Sequence, residues 1–191
     1  MSDFISLILA AALVNNLVFV QLLGVSYFFS ASNRLSAAIE LSLFTGAVFL
    51  VSSFLAHLIF KFLLHPLGLD IFKLIVFLVL SGALSTLLAV IVRDNFPRSY
   101  RSNQLLFHFA GGNSAVIGLM LTNNFSNMSL LQTMTYSLGT AIGFGLVVVG
   151  FSAMGLRLST ADVPASFRGS PLLLLSAGIA AMGFLGFSGL V

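Results

Sequence analysis

Two apolar stretches of this 191-residue chain are each broken by a polar, glycine-containing segment, one in each half. The first passes through Asn15-Asn16 and then Gln21-Leu22-Leu23-Gly24-Val25-Ser26. The second reads Gly111-Gly112-Asn113-Ser114 and ends on Thr122-Asn123-Asn124. Inside hydrocarbon, unpaired backbone groups and buried amides are costly. Such breaks persist only where protein or a cavity surrounds them. A matched pair of interrupted spans is the sequence mark of a membrane protein built from two repeats with its functional centre between them.

The composition requires a membrane setting. Hydrophobic residues make up 59% of the chain and charged residues 7%, several-fold too few to cover a soluble surface of this size. Eight basic residues against five acidic ones give a small positive balance. With no basic run or stripe, membrane topology accounts for it better than nucleic acid. The chain contains no cysteine, which removes disulfides, thiolate zinc sites and thiolate-ligated iron–sulfur clusters built by this chain alone. The N-terminal segment reads as a span and not a cleavable leader. It carries Asp3 in place of a basic residue, and Asn15-Asn16 follows its apolar run.

Six segments are long and apolar enough to cross a bilayer, namely 4–29, 37–63, 71–92, 105–122, 131–156 and 172–191. The expected fold class is therefore an all-α integral membrane protein, one membrane domain over 1–191, with the first and fourth spans interrupted. Asp70 is placed to N-cap the third helix and Ser129 the fifth, while Ser170-Pro171 supplies an N-cap and a first-turn proline for the sixth. His65-Pro66-Leu67-Gly68 should end the second. Arg34, Arg93, Arg98, Arg101, Arg157 and Arg168 fall after the odd-numbered spans, against Lys61 and Lys73 on the other side. The positive-inside bias then puts the arginine loops in the cytoplasm and both termini outside. Three spans per half make the halves, about 1–92 and 105–191, run in opposite directions as an inverted repeat.

The deep polar candidates are Asn15, Asn16, Gln21 and Asn113. Their amides could pin broken helix ends, line a path for an ion or electron together with Gly24 and Gly112, or form interhelical hydrogen bonds worth about 1 kcal/mol each. Gly139-x-x-x-Gly143 reads as a surface for close helix approach. Glu40 is expected as an interfacial charge near Arg34, and His57 and His108 as hydrogen-bonded neutral rings inside spans. No second metal-binding side chain stands at helical spacing beside either histidine. No hydrolase triad, Walker loop or dinucleotide fingerprint is present.

Several stretches resemble one family along the whole chain. They are Leu13-Val14-Asn15-Asn16 with Leu23-Gly24, Asn113-x-Ala115-Val116-x-Gly118, Asp162-Val163-Pro164-Ala165-x-Phe167-Arg168-Gly169 and Gly186-Phe187-Ser188-Gly189-Leu190. Together they are similar to the A subunit of Rnf electron transport complexes and to the related E subunit of the sodium-pumping NADH:quinone oxidoreductase. The resemblance implies six helices in an inverted repeat, paired with a homologous six-helix subunit of opposite orientation in a bacterial inner membrane. It also implies a [2Fe–2S] cluster shared between the two partners. Electrons pass through that cluster between flavin- and iron–sulfur-bearing subunits while sodium ions or protons are moved.

The departures fall on the cofactor. The family offers one cysteine from each broken span, in contexts resembling Leu-Gly-Leu-Cys-Pro-Phe and Thr-Asn-Cys-Ala-Val. Here those positions are Ser26 and Ser114. A hydroxyl is far harder to deprotonate than a thiol and a harder donor to iron, so the expectation is no cluster of the usual kind. A glutamate typical of the third helix aligns with Ala89. The double replacement reads as divergence that kept the scaffold; deliberate ligand removal and a differently held cluster are the alternatives. The function expected is that of a membrane subunit coupling electron transfer to Na+ or H+ transport. The rival readings are a stand-alone transporter or channel and a non-redox assembly subunit.

Overall fold

The computed structural model describes residues 2–24, 34–97, 99–101, 107, 113–126, 128–160 and 162–187. Among these residues all regular structure is helical. Helix α1 (Ser2–Leu9) runs into a π-helical turn at Ala10–Val14. Helix α2 (Leu35–Ile59) likewise ends in a π turn, Phe60–Leu64. Helix α3 (Lys73–Asn95) follows a 3-10 turn at Asp70–Phe72. Helix α4 (Ser114–Phe125) is short, α5 (Leu130–Leu158) is the longest, and α6 is Ser170–Leu185. Among the described residues three stretches are long and apolar enough to cross a membrane: Leu35–Leu64, Asp70–Asn95 and Leu130–Leu158. Shorter apolar helices stand beside them.

The helix ends mostly follow their local chemistry. Ser129 and Gln132 form a reciprocal capping box at the start of α5, satisfying two otherwise orphaned N–H groups. After α2 the chain turns at Gly68, whose φ of +67° is accessible to glycine at little cost. Two expectations shift. Asp70 does not cap α3, because the intervening 3-10 turn moves the N-cap to Phe72; its carboxylate lies 3.5 Å from His65 instead. For α6 the N-cap is Gly169, at φ +81°, and Ser170 is already helical.

Packing follows membrane logic and not aqueous logic. Leu43, Ile71 and Ile179 lie exposed on the outer faces, while Ser52, Ser81, Ser85, Ser137 and Thr140 are almost fully buried. Lipid tails give no hydrophobic drive for helices to associate, so close approach of backbones and satisfied hydroxyls take its place. Buried serines donate back into their own helices, as Ser42 does to the Ala38 carbonyl at 2.7 Å and Ser137 to that of Thr133 at 2.7 Å. The Gly139–Gly143 pair does what its spacing implies. A Cβ on Gly139 would sit 2.7 Å from the Ile8 carbonyl oxygen, and one on Gly143 would sit 2.5 Å from that of Ala12.

These contacts also set direction. Residues 8 and 12 of the first helical stretch meet 139 and 143 of α5 in rising order, so the two run parallel. Gly46 meets Ala141 while Ser42 meets Gly145, so α2 runs antiparallel to α5. The central core of the bundle is this α1–α2–α5 packing, with Phe49 set edge-on against Phe144.

The register is testable because the chain has no cysteine of its own. A Cβ on Gly145 would lie 3.6 Å from that of Ser42, within the roughly 3.5–4.5 Å separation of disulfides. Ser42→Cys with Gly145→Cys should therefore form an intramolecular bridge under mild oxidant, read by gel mobility. Absence of that bridge, with both single variants folded, contradicts the α2–α5 register. Gly143→Leu should destabilise the bundle by about 1–3 kcal/mol, as overpacking does, seen as a lowered detergent Tm.

Candidate functional site: the junction of the interrupted spans

Among the described residues, the first broken span leaves the helix after Val14 and the second enters α4 only at Ser114. The helix from Ser2 through Val14 rises about 20 Å before it stops, short of the about 30 Å hydrocarbon core. Its last carbonyls and the N–H groups that follow must find partners inside the protein. Asn16, 1% exposed, supplies them. Its Nδ2 donates to the Ala12 carbonyl at 2.8 Å, and its Oδ1 accepts from the N–H groups of Val18 at 3.0 Å and Phe19 at 3.2 Å. One side chain thus closes the helix end and starts the turn. Asn15 is exposed and contributes its backbone N–H to Ala10 at 2.7 Å, which closes the π turn.

From Leu17 to Gly24 the chain folds into successive turns, held by the Leu23 N–H on the Leu17 carbonyl at 2.9 Å. Leu22 sits at φ +56°, a strained value for a branched-chain residue. Gly24 sits at φ +77°. Its surroundings also forbid a side chain: a Cβ would lie 3.0 Å from Phe144 Cε2, 3.2 Å from the Ala115 Cβ and 3.2 Å from Asn113 Oδ1.

Gly24 is where the two breaks meet. Its N–H donates to Ser114 Oγ at 3.1 Å, a contact between residues 90 positions apart. Ser114 opens α4, and Asn113 caps it by accepting the Ala115 N–H on Oδ1 at 3.0 Å. Next door Leu23 fills the space that a side chain on Gly118 would need. Helix α4 extends about 18 Å, so it too is a half-span whose N-terminus lies within the bundle. Asn113 is 2% exposed, and its Nδ2 has no hydrogen-bond partner. Ser114, by contrast, is exposed at the surface of the junction.

Of the sequence candidates, Gly24, Asn113 and Ser114 come together directly, and Asn16 stands at the same break as Gly24. Ser26, Gly112 and His108 lie outside the described residues. His57 Nδ1 lies 3.4 Å from Thr133 Oγ1, and Glu40 accepts a 2.6 Å hydrogen bond from Ser99, so each has a polar neighbour across the bundle. Among the described residues no three His, Asp or Glu side chains converge. Without a thiolate, and with Ser114 Oγ already accepting a backbone N–H, the residues present do not fit a thiolate-ligated iron–sulfur cluster.

Sequence reasoning undervalued Asn123. Its Nδ2 reaches Ser53 Oγ at 3.3 Å and Ser137 Oγ at 3.2 Å, tying α4 to α2 and α5. The signal was present as an asparagine pair at the end of a half-span, read only as a polar flank.

Long apolar helices, hydroxyls turned inward and a junction of two half-spans define a multi-pass membrane protein. The chain belongs to the family described as "Rnf-Nqr subunit, membrane protein", which it matches over residues 4–191. It is 35% identical over 191 residues to the A subunit of the ion-translocating oxidoreductase complex of Hahella chejuensis, covering all of this chain and 99% of that one. The corresponding A subunits of Pasteurella multocida and Vibrio cholerae are 36% and 33% identical, with all of this chain and 100% and 99% of theirs covered.

The junction hydrogen bond predicts its own variant. Ser114→Ala leaves the Gly24 N–H without an acceptor and should cost about 1–3 kcal/mol. Ser114→Thr, which keeps the oxygen, should cost less. Thermal unfolding of the two variants in the same detergent checks the order, and equal stability of wild type and Ser114→Ala contradicts it.

Proposed function

We propose that this chain is the membrane component of an ion-translocating oxidoreductase complex that the A subunit provides, where electron transfer is coupled to movement of Na+ or H+. The observation that carries the proposal is likeness to proteins of that name from one end of the chain to the other. In this reading the six spans form an inverted repeat of halves 1–92 and 105–191, in a bacterial inner membrane with both termini outside. The arginine distribution supports that orientation. The partner is a homologous six-helix subunit of opposite topology, within an assembly that also holds flavin and iron–sulfur subunits. Exposure of Ser114, beside the buried Gly24 and Asn113 and together with the exposed Leu22, supports a second chain covering this point.

By resemblance Ser26 and Ser114 align with the family's cluster ligands, and Asn15, Asn16, Gly24, Gly112 and Asn113 are the residues we propose for an ion or electron path. In this chain Ser114 performs a different task from a metal ligand. Its hydroxyl oxygen accepts the Gly24 N–H, holding the two half-spans together without metal. Its contribution to the complex is thus a closed scaffold and a partner surface.

Two measurements test this. The isolated chain in sodium- or proton-loaded liposomes should give no flux above protein-free vesicles; sustained flux would favour a stand-alone transporter. Ser26→Cys with Ser114→Cys should gain iron and a cluster absorption spectrum only when co-expressed with a partner that supplies further cysteines. A cluster in the unmodified protein at this site would contradict the proposal.

A further inference from the structure

A second polar feature lies well away from the junction. The C-terminal ends of α2 and α4 and the N-terminal ends of α3 and α5 surround an open vestibule of about 660 Å³. Two helices thus enter it with partial positive ends and two with partial negative ends. Those contributions offset, and the side chains decide its charge.

The charged residues form one connected group. Lys61 and His65 stand four residues apart at the end of α2, and Asp70 and Lys73 three apart at the start of α3, so each pair shares a helix face. His65 Nδ1 lies 3.5 Å from Asp70 Oδ1, which sets the two pairs side by side. All four residues line the vestibule, where two lysines against one carboxylate leave an excess of one positive charge. Gln132 lines it from α5. Its Oε1 already accepts the Ser129 N–H at 2.9 Å, so its amide nitrogen is the group left to donate. The unpaired oxygens of Asn123 and Asn124 are themselves buried and add no acceptor to the open surface. Cationic and donating groups therefore dominate, and the guest they suit is a single anion.

The depth of the vestibule identifies which anion. The apolar spans Leu35–Leu64 and Asp70–Asn95 end beside it. Lys61 and Lys73 each lie three residues inside those ends, about 4.5 Å along a helix. A lysine stem spans that distance, so both ammonium groups reach the level of the lipid headgroups. Leu63, Leu67, Ile71 and Phe72 are exposed around the same end, Ile71 at 86%. A positive pocket with an apolar border suits a guest that carries both a phosphate and hydrocarbon. Free phosphate would satisfy the lysines and leave the border bare.

We propose that the vestibule holds the headgroup of one anionic phospholipid, with its phosphate between Lys61 and Lys73 and its acyl chains along the exposed apolar faces of α2 and α3. This inference goes beyond the reading of the chain as part of a complex and does not rest on it.

The test uses the full chain, washed free of membrane lipid in detergent. Phosphatidylglycerol, phosphatidylcholine, glycerol 3-phosphate and sodium phosphate serve as probes at equal ionic strength. Phosphatidylglycerol should raise the Tm by several degrees over phosphatidylcholine, and mass spectrometry of the intact complex should retain about one molecule per chain. The two water-soluble phosphates should give no shift. Lys61→Gln and Lys73→Gln should each weaken retention about five-fold, and the double variant should lose the shift. Arg157→Gln removes the same charge at the far end of α5 and should keep it. If the double variant does not fold, retention by the two single variants decides. Equal shifts with both lipids overturn the proposal, as does a phosphatidylglycerol shift that survives the double variant or is lost equally in Arg157→Gln. Equal stabilisation by sodium phosphate would overturn lipid as the source of the anion. Each failure leaves membership of an electron transport complex untouched, because no partner enters the assay.

Discussion

A backbone that leaves the helix inside a bilayer has no water to accept its N–H groups or to donate to its carbonyls. That constraint governs this structure. Each broken end needs an internal substitute, and the chain supplies it with asparagine and serine. Asn16 satisfies three backbone groups around one break, while Asn113 caps the half-helix that starts the other. The Gly24–Ser114 hydrogen bond then joins the two breaks. Without these few polar side chains the half-spans could not stop where they do, and the junction between them would not exist.

The remainder of the bundle is arranged so that these breaks can approach. Gly139 and Gly143 bring the α5 backbone against the first helical stretch, which fixes the height at which that stretch ends and the turns begin. Phe144, one residue further on, closes over Gly24 and leaves no space for a side chain there. Glycine at position 24 is thus required twice, by its positive φ and by its neighbours. The metal-free junction is self-consistent as a piece of protein. A hydroxyl accepts a backbone N–H, and a cysteine-free chain keeps a specific contact between its two breaks.

Much of this was legible in the sequence because the relevant signals are local or compositional. The helix end at Asn15-Asn16, the close-packing glycines and the serine cap of α5 all emerged where the residues placed them. The two π turns, at Ala10–Val14 and Phe60–Leu64, were not foreseen, since an i to i+5 bond depends on how the helix end is packed and leaves no residue signature. Asp70 looked like a cap but was displaced by a 3-10 turn, a difference of two residues that local propensity does not fix. Asn123 was read as a flank because its partners, Ser53 and Ser137, lie on two other helices. Only their meeting shows which amide atom is committed and which is left over. Ser26 falls outside the described residues.

The central claim is that this chain works as one component of a larger membrane complex. The direct measurement is purification of the tagged chain from its native membrane in mild detergent, with mass spectrometry of what accompanies it. The claim predicts a homologous six-helix partner together with flavin- and iron–sulfur-bearing subunits in fixed proportion. Recovery of the chain alone, or only as copies of itself, would contradict it.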